Sequence, residues 1–315
     1  MLRVDNVFHR YNLASGYFSS SLKHVYAVNG VSLSISPGEI YGLVGESGSG
    51  KTTLASMLVG LVPVDIGTIV LENGKGRQWS PYVSKEKKEY RQQVRYVFQD
   101  PATSLNSRLS VRTILYDSIR YTSRWEGKNK ANKEIASLFD LLTLEESFLE
   151  RSPIALSGGQ RKRISLARAL LTRPKLIICD EIASSLDSTI RKQILEIILT
   201  LRKTYGISIL FIGHDLSNVL YVADRIGVMY RGVLVEEGSA EQISFNHRHQ
   251  YTRRLYESVP KMLKSPKVVP IDTTQFDPTE DMAAYEQALE SGTREEKRVD
   301  FGNGHTISHR YNSAY

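Results

Sequence analysis

The stretch from residue 45 to residue 53 constrains this chain more than any other, because Gly-Glu-Ser-Gly-Ser-Gly-Lys-Thr-Thr fits the pattern G-x-x-x-x-G-K-[ST]. An apolar run over 39–44 precedes it, and Leu54, Met57 and Leu58 follow at helical spacing. The glycines therefore fall at a turn between a strand and a helix, which is the context that this motif requires. We predict a phosphate-binding loop, with a chance Gly/Ser-rich surface turn as the weaker alternative.

Each part of this loop has an expected task. The glycines let backbone N–H groups turn towards phosphate oxygens, and the following helix adds the positive end of its dipole. Lys51 is expected to bridge the β- and γ-phosphates, and the Thr52 hydroxyl to complete the ligand shell of a Mg²⁺ ion. The expected triphosphate-binding residues are Gly45, Glu46, Ser47, Gly48, Ser49, Gly50, Lys51, Thr52 and Thr53.

Polar side chains end three further apolar runs that resemble buried parallel strands. Gln99 ends the first run, Asp180 and Glu181 end the second, and His214 ends the third. The carboxyl ends of parallel strands line the crevice where α/β sheets bind ligands. Asp180 is therefore expected to orient Mg²⁺ and Glu181 to poise an attacking water. A lone histidine is more often structural than catalytic, but the position of His214 favours contact with the γ-phosphate.

A second glycine pair stands before a basic helix, in Leu156-Ser157-Gly158-Gly159-Gln160. Two glycines and a serine at a helix N-terminus form an anion-binding device, although on spacing alone they also fit a simple helix cap.

Composition indicates an ordinary globular chain. Its 315 residues are 41% hydrophobic, and its net charge of +7 is spread along the sequence, which favours a generic solvated surface over a membrane or nucleic-acid surface. Cys179 is the single cysteine, so no disulfide forms within the chain and a reducing compartment fits. We find no secretory signal and no run of eighteen apolar residues, so we do not expect the chain to span a membrane.

The order of the runs predicts an α/β fold with a mostly parallel sheet, preceded by an antiparallel β flap over 1–44 and interrupted by helical patterning over 111–151. We expect an ATP-binding core over 1–98 and 165–240 and a helical subdomain over 99–164. A C-terminal segment over 241–260 and a partly flexible appendage of unknown role over 261–315 complete the chain.

The order of these motifs identifies a resemblance. A phosphate-binding loop followed by Gln99, Leu156 to Gln160, Asp180-Glu181, Asp187 and His214 is similar to the ATP-binding-cassette (ABC) family over residues 1 to about 260. The resemblance implies a P-loop NTPase (RecA-like) core and ATP hydrolysis to ADP and phosphate, coupled to transport, with ATP and Mg²⁺ as cofactors.

Within that family the chain resembles the ATPase subunits of oligopeptide, dipeptide and nickel importers. This resemblance rests on the segments Gln99-Asp100-Pro101, Ser104-Leu105-Asn106, Glu236-Glu237-Gly238 and the tail His249-Gln250-Tyr251-Thr252-Arg253. Gln250, Ser107 and Ile182 stand where the subgroup commonly has proline. These differences do not affect the ATPase chemistry, but they leave two kinds of cargo open: peptide, and nickel or a metallophore. The tail contains no cysteine, so no iron–sulfur cluster is expected.

The resemblance also implies the roles of single residues. Tyr11 is expected to stack on adenine, with Tyr17, Phe18 and Tyr26 as alternatives. Gln99 is expected to contact Mg²⁺ and the water, and His214 to act as the switch. Two groups are expected to face a second cassette: the signature residues Ser157, Gly158, Gly159 and Gln160, which close over that cassette's ATP, and the D-loop residue Asp187, which crosses the interface.

The implied partners are a second cassette, favoured to be a paralogue, two separate transmembrane permease subunits and, indirectly, an extracytoplasmic solute-binding protein. The chain would lie on the cytoplasmic face of the cell membrane, and no nucleic-acid partner is expected. A soluble ABC ATPase of DNA repair or translation is the rival, disfavoured by the single cassette and short insertion. A degenerate regulatory cassette is disfavoured because Lys51, Gln99, Glu181 and His214 are intact.

Overall fold

The computed structural model describes residues 1–14, 22–72, 74, 76–122, 124–257 and 298–308. Its strands are β1 Leu2–Ala14, β2 Leu22–Ile35, β3 Ile40–Val44, β4 Ile66–Glu72, β5 Gln78–Trp79, β6 Val94–Val97, β7 Leu176–Asp180, β8 Ser208–Gly213, β9 Arg225–Tyr230, β10 Val233–Ser239, β11 Arg298–Asp300 and β12 Thr306–Ser308. Its α-helices are α1 Lys51–Leu58, α2 Lys87–Gln93, α3 Pro101–Ser104, α4 Val111–Arg120, α5 Lys128–Leu141, α6 Gly158–Leu170, α7 Ser188–Tyr205, α8 Leu216–Val222, α9 Ala240–Phe245 and α10 Gln250–Glu257.

Two sheets organise the described residues. The first has the order β2-β1-β4-β5 and is antiparallel throughout, as predicted for the flap. The second has the order β11-β12-β10-β9-β3-β8-β7-β6, and its strands from β9 to β6 run parallel. The predicted P-loop NTPase fold, with a mostly parallel sheet, an antiparallel flap and a helical insertion, is confirmed.

The parallel strands are buried on both faces, which explains their continuous apolar runs. Along β7, Ile177 and Cys179 pack into the core on the side of α6, α7 and the helical insertion. The alternate residue Ile178 packs into a second core with Leu54 of α1 and residues of the flap. Because every β7 side chain is buried, the first polar groups of this strand emerge at its carboxyl end.

The helices begin and end where the sequence supplies caps. The Asp187 carboxylate accepts hydrogen bonds from the amides of Thr189 and Ile190 at the start of α7. Gly206 ends that helix in the left-handed conformation at φ 61°, which costs glycine little. These caps fix both ends of α7, which is separated from the polar end of β7 by residues 181–187.

Two boundaries differ from the sequence-based expectations. The strands β1 and β2 extend to Ala14 and start at Leu22, beyond the predicted runs 2–8 and 25–35, because their antiparallel pairing continues to the pair Ala14 and Leu22. The expected division of the core at residue 164 falls inside α6.

Part of the expected C-terminal appendage belongs to the main sheet. The hairpin of β11 and β12, within the stretch 261–315 that the sequence suggested as a partly flexible appendage, pairs with β10 through Glu236 and Ile307. An ion pair of Arg298 with Glu237 and a hydrogen bond between His305 and Glu236 join the hairpin to β10. Weak hydrophobic patterning in the tail gave no sign of this sheet pairing.

Candidate functional site

The glycine-rich loop joins β3 to α1 and is packed tightly against its surroundings. Gly48 and Gly50 adopt positive φ angles of 82° and 102°, which side chains disfavour. A Cβ atom on Gly45 would lie 2.1 Å from the carbonyl oxygen of Met229, and one on Gly50 would lie 2.1 Å from that of Ala27. The loop therefore needs glycine at these positions both for its conformation and for its close contact with β2 and β9.

Lys51 lies over this loop with its ammonium group bonded to loop oxygens. Its Nζ donates hydrogen bonds to the carbonyl oxygens of Gly45 and Glu46, both at 2.8 Å. Burial lowers the pKa of Lys51, while Glu181, Asp180 and Glu46 act in the opposite direction. The loop thus holds a positive charge at the head of α1, where its N–H groups also converge.

Asp180 is a buried carboxylate with one unsatisfied oxygen. Its Oδ2 accepts a hydrogen bond from the Tyr96 hydroxyl at 2.6 Å, whereas its buried Oδ1 accepts none from the described residues. Burial raises the pKa of Asp180, and hydrogen bonds from Tyr96 and Thr52 counteract that shift. A carboxylate oxygen without a donor, beside a threonine hydroxyl, fits the oxygen ligands of Mg²⁺. Asp180 and Thr52 are therefore suited to hold this ion together with phosphate oxygens.

Glu181 follows β7 with a positive φ of 47°, which is uncommon outside glycine. Its Oε2 accepts a hydrogen bond from Gln99 Nε2 at 2.8 Å, and its Oε1 lies 3.2 Å from His214 Nδ1. The three side chains come from the carboxyl ends of the neighbouring parallel strands β6, β7 and β8. The structure thus gathers the polar residues that the sequence predicted at this edge.

A cavity of about 950 Å³ joins the loop to these polar residues. The loop, β2, the strand ends and α10 all contribute to its lining, which consists of His24, Val25, Tyr26, Ala27, Glu46, Ser47, Gly48, Gly50, Lys51, Thr52, Thr53, Gln99, Glu181, His214, Arg231, Gly232 and Leu255. Loop and strand ends therefore share one space, large enough for an elongated ligand.

Of the aromatic residues expected to stack on the base, Tyr26 lies in the cavity wall and Tyr11 lies beside it on the neighbouring strand. Tyr11 is 40% exposed and lies opposite the lining residue Val25 in the β1–β2 ladder, with its ring edge-on to His9. Tyr26 is therefore part of the cavity wall and Tyr11 is not among the residues that line it, while the alternatives Tyr17 and Phe18 fall outside the described residues.

The signature residues lie on a different surface. Ser157 is exposed and caps α6 through a reciprocal pair of hydrogen bonds with Gln160, at 2.8 and 3.2 Å. Gly158 has open space around it, and Gly159 packs against Ile190 near the cap residue Asp187. None of these residues lines the cavity around Lys51. The expected phosphate cradle at Lys51 and the expected cap at Ser157 therefore do not share one cavity.

Three contacts of the site were missed by the sequence reasoning. Lys162 donates a hydrogen bond to the carbonyl oxygen of Ser184 at 2.6 Å, so it ties the signature helix to the loop after Glu181. Tyr96 holds Asp180, and the Tyr251 hydroxyl accepts a hydrogen bond from the Glu46 amide at 2.8 Å. The one available signal was the position of Tyr251 within the tail motif, which does not reveal a contact 205 residues away.

Comparison with known proteins shows the family to which the chain belongs. A family model described as ABC transporter matches residues 28–184. The oligopeptide transport ATP-binding protein OppF of Lactococcus lactis subsp. lactis is 39% identical over 252 residues, which cover 80% of this chain and 78% of that protein. The chain belongs to the ABC transporter family. The motif-based prediction of an ABC-type ATPase is thereby confirmed.

Other relatives of this ABC cassette carry related names. OppF of Streptococcus mutans is 36% identical over 281 residues, covering 88% of this chain and 89% of the relative. The dipeptide transport ATP-binding protein DppF of Lactococcus lactis subsp. cremoris is 38% identical over 271 residues, covering 84% of each chain.

Solved structures of cassettes share the fold of this chain. An ATP-binding cassette determined as a dimer in a post-hydrolysis state with ADP and phosphate is 25% identical, with a TM-score of 0.66 over 76% of this chain and 99% of its own length. The cbiO1 protein of Clostridium perfringens, part of an ABC transporter complex, is 25% identical with a TM-score of 0.64 over 77% of this chain and 89% of its own. Within the described part of the ABC cassette, no helix has the length and apolar character to cross a membrane.

Proposed function

We propose that this chain is the ATP-hydrolysing subunit of an importer of oligopeptides or dipeptides, acting on the cytoplasmic face of the cell membrane. The observation that carries the proposal is its identity of 36–39% to oligopeptide and dipeptide transport ATP-binding proteins over most of both chains. The gathered cluster of Lys51, Gln99, Asp180, Glu181 and His214 supplies the hydrolytic chemistry that such a subunit requires.

ATP would lie along the cavity with its phosphates in the loop. Main-chain N–H groups of residues 50–53 at the start of α1 and the Lys51 ammonium group bind the phosphate oxygens, while Tyr11 or Tyr26 stacks on adenine. Lys51 now bonds to carbonyl oxygens, so phosphate binding exchanges these contacts for stronger charge-assisted ones. Mg²⁺, held by Thr52, Asp180 and Gln99 with phosphate oxygens, would neutralise charge on the triphosphate.

Hydrolysis requires a base beside the γ-phosphate, and Glu181 is that base. Its carboxylate borders the cavity and contacts both Gln99 and His214. Glu181 accepts a proton from the attacking water as the oxygen–phosphorus bond forms and ADP leaves. Gln99 orients the water, and His214 and Lys51 stabilise charge on the transferred phosphoryl group.

A second cassette completes each site. Ser157, Gly158 and Gly159 lie outside the chain's own cavity, so they serve a nucleotide on a neighbouring cassette, with Gln160 capping their helix and Asp187 at the interface. ATP bound between two cassettes gives contacts that are lost after hydrolysis, and this difference drives opening and closing. The partners are a paralogous cassette, two transmembrane permease subunits and an extracytoplasmic solute-binding protein.

Peptide uptake tests this proposal. Cells lacking the chain are complemented with the wild type or with Lys51→Ala, and uptake of a radiolabelled oligopeptide is compared with uptake of a labelled nickel chelate. The proposal predicts peptide uptake that is restored by the wild type alone. Restoration of nickel-chelate uptake without peptide uptake would overturn the peptide assignment, and membrane-independent activity of the chain would overturn the importer.

A further inference from the structure

The helix α10 contacts the phosphate-binding loop directly. The hydroxyl of Tyr251, in its first turn, accepts a hydrogen bond from the Glu46 amide at 2.8 Å. Tyr251 is 4% exposed, and its ring packs against that of Tyr230 with centroids 4.3 Å apart. One turn further along α10, Leu255 lines the cavity itself. A residue far from the motif in sequence therefore contributes a buried polar contact to the loop.

This contact clamps one peptide unit of the loop from both sides. The peptide between Gly45 and Glu46 gives its N–H group to Tyr251 and its carbonyl oxygen to Lys51 Nζ. A peptide unit is planar, so its N–H and C=O groups turn together. Rotation of this unit would break both hydrogen bonds, and Tyr251 consequently fixes the orientation of the carbonyl group beside the lysine.

The position of α10 is itself fixed from the opposite side. Glu236 of β10 accepts hydrogen bonds from the amides of Arg248 and His249 at 2.8 and 3.1 Å, immediately before the helix begins. His305 donates from Nε2 to the same carboxylate at 2.8 Å. Burial acts to raise the pKa of Glu236, but these hydrogen bonds hold it below its ordinary value. A buried carboxylate thus joins the C-terminal hairpin to the start of α10.

We propose that Tyr251 is a positioning residue for nucleotide binding, and that the C-terminal hairpin supports it through His305 and Glu236. The resulting brace runs from β12 through Glu236 to α10 and ends on the Glu46 amide. The brace holds the loop in its binding conformation before phosphate binds. It therefore affects the affinity for nucleotide and not the rate of the hydrolysis step. This inference rests on the proposed nucleotide-binding function.

Tyr251→Phe removes one hydroxyl and keeps the ring packed on Tyr230. Loss of a single hydrogen bond of about 1 kcal/mol net predicts roughly fivefold weaker binding of MgADP to the purified full-length chain, measured by isothermal titration calorimetry. In the assembled transporter the KM for ATP rises by a similar factor while kcat stays within about twofold, since the brace does not touch the reacting atoms.

Tyr256→Phe is the matched control. Tyr256 is buried on the same helix, and its hydroxyl makes no hydrogen bond with the described part of the chain. Its MgADP affinity should equal that of the wild type. Equal affinity of Tyr251→Phe and the wild type would overturn the inference and leave the proposed function standing. Failure of the wild type to bind MgADP would instead overturn the proposed function.

The hairpin is tested separately at His305. His305→Leu removes the donor to Glu236 and should weaken MgADP binding, whereas His305→Gln keeps a donor and should retain affinity within about twofold of the wild type. Rescue by glutamine distinguishes a hydrogen-bonded brace from simple packing. Wild-type affinity in His305→Leu would exclude the hairpin from the brace and overturn that half of the proposal.

Discussion

Asp180 and Glu181 are neighbours in sequence with different surroundings, and this difference supports the separate roles proposed for them. Asp180 is 1% exposed, with Tyr96 and Thr52 as its polar neighbours. Glu181 is turned out of the strand by its positive φ and faces Gln99 and His214 in the cavity. A buried carboxylate with a bare oxygen suits a cation, and a reachable carboxylate suits proton transfer.

Asp180→Asn should raise thermal stability and abolish hydrolysis. Burial raises the pKa of Asp180, so the folded chain binds this proton more tightly than the unfolded chain, and the ionised form destabilises the fold at neutral pH. Removing that charge should add about 0.5–2 kcal/mol of stability, the usual range for single stabilising substitutions. Calorimetric Tm at pH 7.5 and Mg²⁺-dependent ATPase activity are the measurements.

The stability gained by Asp180→Asn should depend on pH, and the direction of that dependence tests the explanation. As pH falls through the raised pKa of the folded state, Asp180 takes up its own proton and the advantage of Asp180→Asn should shrink. Asp140→Asn, at an exposed position, serves as the control and should leave Tm unchanged at each pH. A lower Tm for Asp180→Asn at neutral pH would show that Tyr96 and Thr52 outweigh the burial penalty.

At the scale of elements, the phosphate-binding loop depends on strands that are distant in sequence. Its neighbours are the carbonyl groups of Ala27 in β2 and Met229 in β9. The motif and the polar strand ends were predictable because each is a local pattern of five to nine residues. The walls of the cavity could not be predicted in this way, because Arg231, Gly232 and Leu255 reach the cavity only through sheet pairing and helix packing.

Gly45→Ala should destabilise the chain through a steric clash. Its Cβ would lie 2.1 Å from the Met229 carbonyl oxygen, so backbone must move. Overpacking of this kind costs roughly 1–3 kcal/mol. We expect a Tm lower by several degrees and weaker MgADP binding, measured by calorimetry.

Gly158→Ala is the matched substitution, because a Cβ there meets no atom within 4 Å and alanine favours the helix that follows. Its Tm should be unchanged or slightly higher. A Gly45→Ala variant as stable as Gly158→Ala would mean that the loop is not packed against β9 as described.

The C-terminal hairpin shows why contacts between distant parts of the chain could not be predicted from the sequence. Arg298 and His305 are separated from their partners Glu237 and Glu236 by 61 and 69 residues. Periodicity and turn signals describe neighbours along the chain, and they give no information on pairing across such a distance. The strand order was predictable only as a class, a mostly parallel sheet, because repeated strand–helix units impose it.

At the scale of the whole molecule, the cradle at Lys51 and the cap at Ser157 occupy separate surfaces of one chain. Head-to-tail pairing of two cassettes, as proposed above, would complete this arrangement, because each cassette would supply what the other lacks. In that proposal ATP stabilises the closed pair, hydrolysis releases it, and the cycle moves the membrane subunits.

Ser157→Arg should block closure of the pair without harming the chain's own cradle. A bulky cation at the exposed cap would occupy the space of the neighbouring γ-phosphate, so ATPase activity of the assembled complex should fall at least tenfold, on the scale of a lost charge-stabilising contact. MgADP affinity of the isolated chain should be unchanged. Ser147→Arg, also exposed on the helical subdomain, is the control and should keep full activity. Full activity in Ser157→Arg would contradict the shared site.

Glu181→Gln in the assembled complex tests the central claim most directly. This substitution keeps the shape of the side chain and removes the base, so ATP binding should match the wild type while single-turnover hydrolysis falls by about 10²–10⁴-fold. Retained binding with that loss of hydrolysis is the result that this account predicts. Hydrolysis near the wild-type rate would contradict it.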